Sequence, residues 1–315
     1  MKEAYQRFIL ELTQADEIAE SELIQELWSG YGQILRLRLK GGKLASVVVK
    51  WVQLNQVKTH PRGWQSDIGH ARKIKSYQVE SHWYQNYSDQ SAARLPQCLA
   101  HRVMDQEVLL ILEDLDTAGF PLRKTSLGWS EIDPCLAWLA RFHASFLDRK
   151  PHGLWENGSY WHLNTRPEEL EALKDLKLKE AASAIDQKLR EAQHQTIIHG
   201  DAKLANFCFS ETGSVAGVDF QYVGGGCGMI DLAYFVGSCL SEQECEMHEE
   251  QILNRYFHHF QQCLSEPNLA LEEEWRSLYR VAWADFHRFL KGWSPSHWKI
   301  NSYSEKVCRE VIEKL

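Results

Sequence analysis

The sequence lacks the long apolar segment that a membrane-spanning helix requires. Within its 315 residues the longest apolar runs, such as Val108 to Leu112, are far shorter than the roughly 20 residues that cross a bilayer. The first residues carry charges in every turn and have no apolar core of the kind found in signal peptides. We therefore expect a cytoplasmic protein that does not associate with membranes.

The sequence also lacks C-x-x-C pairs and an H-E-x-x-H motif, which argues against a zinc site or a disulfide framework. Its eight scattered cysteines are expected to be buried free thiols. The adjacent His258 and His259 lie in a helical pattern, where packing explains them better than metal binding. With 35 basic and 43 acidic residues the net charge is −8, so the sequence does not predict general nucleic-acid binding. Small molecules or proteins are the favoured partners.

The first part of the chain has the alternating apolar pattern of strands. Gly41 and Gly42 can supply the positive φ angles of a tight hairpin between the first two predicted strands. Predicted strands cover residues 33–40, 44–52, 97–103 and 107–112, and a predicted helix covers residues 68–87.

Beyond residue 116 the pattern becomes helical. Predicted helices cover residues 130–147, 165–191, 241–264, 271–292 and the segment from 302 onward, whereas residues 195–220 are again strand-like. The sequence thus predicts an α+β protein with two lobes. Residues 1–115 form a small antiparallel sheet with one helix, residues 116–315 form a larger, mainly helical lobe, and residues 113–116 act as a hinge.

The segment with the most chemical information runs from Ile197 to Phe209 and reads I-I-H-G-D-A-K-L-A-N-F-C-F. Thirteen residues after Asn206 another acid, Asp219, follows a short β-branched strand, and a hairpin would bring the two strands together. Asp201, Asn206 and Asp219 should then lie on neighbouring loop ends. Phosphoryl transfer needs such a set: one carboxylate for the acceptor hydroxyl, and a carboxylate with an amide oxygen for magnesium.

The pattern H-G-D-x-x-x-x-N followed by V-D-F resembles the aminoglycoside phosphotransferase and choline-kinase-like families, which have the protein-kinase-like fold. The E-D-L and D-F-Q triplets are most similar to the ecdysteroid-kinase branch. This resemblance implies that Asp201 orients the acceptor hydroxyl and that Asn206 and Asp219 bind magnesium. It also implies that His199 supports the loop and that Lys203 contacts the transferred phosphate.

The resemblance also assigns parts of the first lobe to nucleotide binding. Lys50 would hold the α- and β-phosphates of ATP, and Glu80 would be its ion-pair partner. Gly30 and Gly32 would cover the phosphates, although the third glycine of G-x-G-x-x-G is missing. The main chain of the segment from Glu113 to Leu115 would meet the adenine edge. Without the downstream motif, Lys50 could equally be a solvated strand residue.

The spacing after Asp219 favours a small-molecule acceptor over a polypeptide. Only eleven residues separate Asp219 from Asp231, too few for the activation segment that docks polypeptides in protein kinases. By resemblance, Asp231 braces the catalytic loop. P-loop, nucleophile-elbow and dinucleotide-binding motifs are absent. The sequence predicts an ATP- and Mg²⁺-dependent kinase acting on a small-molecule hydroxyl; the alternative is a non-catalytic nucleotide-binding module that regulates a partner.

Two features bear on the acceptor. Residues 241–276 contain nine acids and two arginines, which would suit a cationic alcohol or amino sugar, or would simply form a solvated helix face. Several of the twelve tryptophans lie near the end of the chain, where they could enclose a quaternary ammonium or an apolar, sterol-like body, or pack helices. The sequence leaves both pairs of alternatives open.

Overall fold

The computed structural model describes residues 1–27, 30–54, 67–104 and 106–315. The chain divides into two compact units, and each is built from separate segments. Unit 1 comprises Met1–Asp89, Leu95–Leu122 and Cys208–Ala216, and unit 2 comprises Gln90–Arg94, Arg123–Phe207 and Gly217–Leu315.

Unit 1 contains a five-stranded antiparallel sheet with strand order β1-β2-β3-β5-β4. Its strands are β1 (Glu17–Glu26), β2 (Gly32–Lys40), β3 (Ser46–Gln53), β4 (Cys98–Met104) and β5 (Glu107–Glu113), and its helices are α1 (Glu3–Thr13) and α2 (Asp67–Asn86). The predicted hairpin through Gly41 is present, with Leu37 facing Val47 across it.

The core of unit 1 lies between α1 and one face of the sheet. Tyr5 and Ile9 of α1 pack against alternate residues of β2 and β3, among them Leu37 and Val49. Alternate residues of a strand point to the same face, so the period-two pattern of the sequence supplies this apolar surface.

Unit 2 is mainly helical. Its helices are α3 (Asp133–Ser145), α4 (Pro167–Ala172), α5 (Leu176–Arg190), α6 (Met229–Cys239), α7 (Glu242–Gln262), α8 (Leu269–Trp293) and α9 (Ser302–Ile312). Its strands β6 (Thr196–Ile198) and β9 (Gly224–Gly226) pair with each other. The strands β7 (Phe207–Phe209) and β8 (Val215–Gly217), most of whose residues belong to unit 1, form a second pair. The predicted α+β class, with a small antiparallel sheet and a larger helical part, is confirmed. Among the described residues, no helix combines the length and apolar character needed to cross a membrane.

The structure differs from the sequence analysis in three details. The helix predicted over residues 165–191 is two helices, because the chain turns at Leu173 and Asp175 then caps α5 by accepting a hydrogen bond from Leu178 N. The sequence did not predict α1 or β1. All eight cysteines are free, as expected, but Cys263 is exposed, and Cys98 and Cys239 are only partly buried.

Candidate active site

Helix α6 anchors the loop that carries the H-G-D motif, residues 199–203. Asp231, in the first turn of α6, is fully buried and accepts hydrogen bonds from the main-chain N–H groups of His199 (2.6 Å) and Gly200 (2.9 Å). The same carboxylate lies 3.1 Å from His143 Nε2, and His143 Nδ1 contacts the Tyr256 hydroxyl at 2.7 Å. These contacts match the bracing role expected for Asp231.

His199 fixes the course of the H-G-D loop through both ring nitrogens. Its Nδ1 accepts a hydrogen bond from Asp201 N at 3.2 Å, which leaves Nε2 to donate to the Val218 carbonyl at 3.0 Å. The ring is fully buried and packs against Phe142 and Phe220. His199 therefore links the H-G-D loop to the segment that leads to Asp219.

Asp201 has two carboxylate oxygens in different surroundings. Oδ2 accepts hydrogen bonds from Lys203 Nζ (3.0 Å) and Asn206 Nδ2 (3.2 Å). Oδ1 is buried and has no hydrogen-bond partner in the described part of the chain. Burial raises the pKa of Asp201, and the negative charge of Asp219 adds to this effect while Lys203 opposes it.

Asn206 and Asp219 are brought together by the hairpin of β7 and β8. Val218 N donates to the Asn206 carbonyl at 2.9 Å, so Asp219 follows directly after a residue bonded to Asn206. The Asn206 amide nitrogen is committed to the Asp201 carbonyl at 2.7 Å, which leaves its side-chain oxygen as the group able to bind a cation. Asp219 has a left-handed backbone, with φ of +70°, and accepts a hydrogen bond from Gln221 at 2.7 Å.

This donor set suits magnesium. Within the described ranges, no group of three or more His, Cys, Asp or Glu side chains is placed to hold a metal ion. Mg²⁺ does not need such a cage, because it binds through one or two carboxylates and phosphate oxygens and keeps several waters. The amide oxygen of Asn206, just before β7, and the carboxylate of Asp219, just after β8, fit that preference.

In unit 1, Lys50 and Glu80 form a buried ion pair. Lys50 Nζ lies 2.8 Å and 2.7 Å from the two carboxylate oxygens of Glu80, and both side chains are at most 5% exposed. The central strand β3 supplies Lys50 and α2 supplies Glu80. A lysine buried in this way is not the solvated strand residue that the sequence left open, because burying a charge is costly unless it is paired.

Gly30 and Gly32 lie at the turn from β1 to β2. Both have positive φ angles, and a Cβ at Gly32 would meet the Trp51 carbonyl oxygen at 2.0 Å, so only glycine fits there. The turn is closed by a hydrogen bond from Leu27 N to the Gly32 carbonyl. Contact of these glycines with phosphates remains a prediction.

The segment predicted to meet adenine lies at the end of β5. Glu113 N donates to the Gln97 carbonyl, and the carbonyl of the buried Leu115 accepts from Phe120 N at 2.8 Å. Between them, Asp114 is buried and accepts hydrogen bonds from Arg36 (2.8 Å) and Ser46 (2.6 Å). The E-D-L triplet therefore has a structural part, carried by Asp114, and its contact with adenine remains a prediction.

Sequence reasoning missed several side chains on which the charge of Asp201 acts. The charge of Asp201 acts on Tyr160, Tyr234 and Lys299, which come from three distant segments of the chain. None of the three belongs to a recognisable motif. Gln221, which contacts Asp219, could have been found from the D-F-Q triplet.

Neighbouring contacts explain most of the acids of residues 241–276 and some of the C-terminal tryptophans. Most acids of residues 241–276 are engaged nearby: Glu242 with Ser302, Glu246 with Lys306, Glu249 with Arg280, Glu250 and Glu272 with Arg276, and Glu274 with His194. Trp275 and Trp283 are buried between helices, whereas Trp298 is 65% exposed. The acids thus form a paired helix surface, and two of the C-terminal tryptophans pack helices.

Comparison with known proteins supports the resemblance. Residues 154–269 match the model of the ecdysteroid kinase-like family. No curated protein matches the chain. Among solved structures, amicoumacin kinase hAmiN, in complex with AMP-PNP, Ca²⁺ and Ami, matches with 12% identity and a TM-score of 0.54, covering 100% of this chain and 93% of that one.

Two aminoglycoside phosphotransferases match in the same way. The GDP complex of aminoglycoside 2'-phosphotransferase-IIIa has 13% identity and a TM-score of 0.52, covering 99% of this chain and 98% of that one. A thermostable mutant of APH(4)-Ia, in a ternary complex with ADP and hygromycin B, has 11% identity, a TM-score of 0.51 and 98% coverage of both chains. The expected resemblance is therefore confirmed: residues 154–269 match the ecdysteroid kinase-like family, and the chain has the protein-kinase-like fold of the aminoglycoside phosphotransferases.

Proposed function

We propose that this protein is a kinase that transfers the γ-phosphoryl group of ATP to a hydroxyl of a small molecule. The observation that carries this proposal is the environment of Asp201. One carboxylate oxygen is held by Lys203 and Asn206, and the other is buried without a hydrogen-bond partner among the described residues. A carboxylate fixed in this way suits a group that accepts the proton of an acceptor hydroxyl.

The residues around Asp201 divide the remaining work. Burial raises the pKa of Asp201, which makes its carboxylate a stronger proton acceptor. Burial acts to lower the pKa of Lys203, but the charges of Asp201 and Asp219 outweigh it and raise that pKa overall, so Lys203 stays cationic. Its ammonium can therefore neutralise charge on the phosphoryl group, while His199 holds the H-G-D loop in place.

Nucleotide and metal binding complete the proposal. Asn206, through its amide oxygen, and Asp219 hold magnesium, which when bound neutralises charge on the phosphates of ATP. Lys50, oriented by Glu80, binds the nucleotide phosphates, and the turn at Gly30 and Gly32 covers them. We propose the main chain from Glu113 to Leu115 as the adenine contact. The family match and the kinase-like fold support this assignment.

The test is Asp201→Asn, which keeps the shape of the side chain and removes its basicity. We expect acceptor-dependent ADP formation to fall by about 10²- to 10⁴-fold, because general-base catalysis contributes on that order. Mg-ATP affinity, measured by calorimetry on the same samples, should change little. Activity would be measured against a panel of hydroxyl compounds with Mg-ATP.

A suitable control is Asp148→Asn, because Asp148 is exposed and has a left-handed backbone that asparagine tolerates. This variant should keep full activity. If the wild type bound Mg-ATP tightly but consumed none with any acceptor, the kinase proposal would fail and the regulatory nucleotide-binding module would replace it. Failure to bind Mg-ATP at all would overturn both.

A further inference from the structure

Lys299 is a charged side chain of unit 2 for which the proposed chemistry gives no role. It lies in the turn between α8 and α9 and is partly buried. Its ammonium sits over three aromatic rings, 4.8 Å from the centroid of Tyr234, and 5.5 Å from those of Phe286 and Trp298. In the part of the chain that the structure describes, this ammonium has no hydrogen bond and no carboxylate partner.

One of the aromatic rings under Lys299, that of Tyr234, is linked to the H-G-D loop through Tyr160, whose main-chain N–H donates to the Gly200 carbonyl at 3.1 Å. The Asp201 charge contributes to raising the pKa of both Tyr160 and Tyr234, after the larger effect of burial, and it acts on Lys299 as well. The Tyr234 hydroxyl donates to the Tyr160 hydroxyl at 3.4 Å. Lys299 and this aromatic group therefore lie near the H-G-D loop that carries Asp201, which the proposed acceptor hydroxyl must reach.

Lys299 itself is the group that disfavours a cationic acceptor here. Burial lowers the pKa of Lys299 to about 8, the charge of Asp201 opposes this and that of Lys203 adds to it, and a group with that pKa is still mostly protonated at neutral pH. Lys299 already occupies the aromatic faces that would otherwise attract a quaternary ammonium. The acids of α7 and α8 that could have balanced the charge are paired locally, for example Glu249 with Arg280.

The same features suit an anion attached to an apolar body. A partly desolvated ammonium that forms no salt bridge gains from a carboxylate that reaches it, since charge-assisted hydrogen bonds are the strong ones. Trp298 is 65% exposed beside it, so its ring offers a large apolar face to a bound molecule. The exposed ring and the ammonium together offer one apolar and one cationic contact.

We propose that Lys299 is a specificity-determining residue that binds a carboxylate on the acceptor, so that the substrate is a hydroxy acid with an apolar, ring-containing body. This inference rests on the proposed kinase function and names its substrate class. The ammonium pairs with the acid while the hydroxyl of the same molecule reaches Asp201. Cationic alcohols and amino sugars are then disfavoured.

The experiment compares matched forms of each acceptor with wild-type and variant enzyme. Aromatic and alicyclic hydroxy acids are offered as the free acid, the primary amide and the corresponding primary amine, and kcat/KM is measured from ADP formation with Mg-ATP. For the wild type we expect the acid to exceed the amide by about tenfold, the value of one charge-assisted hydrogen bond. Lys299→Met should remove this preference, and Lys299→Glu should favour the amine.

Lys306→Met is the matched control, because Lys306 lies nearby in sequence, is exposed and pairs with Glu246 at 2.7 Å. It should keep the preference for the acid. Equal kcat/KM for acid and amide in the wild type overturns the inference. So does a Lys299→Met enzyme that keeps the preference but has a higher KM for ATP, which would assign the ammonium to the nucleotide.

The two proposals fail in distinguishable ways. If no hydroxy acid is phosphorylated but ATP consumption, with other hydroxyl compounds or with water, depends on Asp201, the kinase function stands and the hydroxy-acid class is wrong. If ATP consumption is absent or does not respond to Asp201→Asn, the proposed function itself fails and the inference falls with it.

Discussion

Gly200 is the residue at which the backbone of the H-G-D loop takes a left-handed conformation. Its φ is +78°, and an added Cβ would lie 2.1 Å from the Tyr222 carbonyl oxygen and 2.6 Å from Ser159 N. Both atoms belong to the main chain, so they cannot move away as the end of a flexible side chain could. Glycine is thus required at position 200 by the local fold.

We expect Gly200→Ala to lower the free energy of unfolding by at least about 2 kcal/mol, since it adds a main-chain clash to an unfavourable backbone conformation. Urea denaturation measures this. Gly213→Ala is the control: its φ is +86°, but no atom lies within 4 Å of the added Cβ. The free energy of unfolding of Gly213→Ala should fall by only about 1 kcal/mol. An equal loss in Gly200→Ala and Gly213→Ala would contradict the expected main-chain clash at residue 200.

The sequence predicts single residues well only where they belong to a motif. Asp201, Asn206 and Asp219 could be grouped because their order and spacing match a known pattern. Lys299 could not, because a lone lysine after S-P-S-H-W gives neither periodicity nor a motif. Its neighbours Tyr160 and Tyr234 are brought to it by tertiary packing of separate helices and loops.

Among the structural elements, α6 determines the position of the H-G-D loop. Asp231 in its first turn accepts two main-chain N–H groups of that loop and contacts His143, all without solvent exposure. A neutral amide at this position could not accept from both N–H groups and the imidazole at once. The hydrogen bonds that fix the H-G-D loop to α6 would then be incomplete.

Asp231→Asn should cost about 3 kcal/mol of unfolding free energy, because it leaves buried donors without an acceptor. Hydrogen exchange should also speed up at the amides of His199 and Gly200. Asp133→Asn changes the same residue type in the first turn of α3, where the side chain is 41% exposed, and should cost well under 1 kcal/mol. Unchanged exchange at residues 199–200 would speak against the bracing role.

Elements were predictable where the apolar pattern was strong. The four predicted strands of the sheet lie within about two residues of their observed positions, because their apolar residues face the core. Strand β1 escaped prediction since it is nearly all exposed, with Glu17 and Glu20 paired to Lys40 and Arg38 of β2. Such a strand is formed by pairing with its neighbour and not by its own apolar pattern.

The molecule as a whole should lose stability in acid, because several of its carboxylates have a lowered pKa in the folded state. Burial acts to raise the pKa of Asp114, but hydrogen bonds from Arg36 and Ser46 outweigh it and lower that pKa overall. Asp186, held by His162 and Arg190, also has a net lowered pKa. Such groups stabilise the fold at pH values above their pKa in the unfolded chain, which is near 4. This stabilisation is lost as the pH falls through their lower pKa in the folded protein.

Arg36→Met tests the expected direction of this pH dependence. The variant should be less stable than the wild type at neutral pH, and the difference should shrink as the pH falls below about 4 and Asp114 takes up its proton. Urea denaturation at a series of pH values gives the comparison. Arg38→Met removes an exposed pair with Glu20 and should show a small difference at every pH. A constant difference for Arg36→Met would contradict the linkage.

The discontinuous make-up of unit 1 has a consequence for protein synthesis. Residues 208–216 belong to unit 1, and Leu122 makes its β-bridge with Phe209 of that segment. A nascent chain emerges from the ribosome in sequence order, so the sheet of unit 1 is translated well before this last segment. Unit 1 can therefore reach its final form only after much of the helical unit has also been translated, and a chain cut after Leu122 would lack part of its own fold.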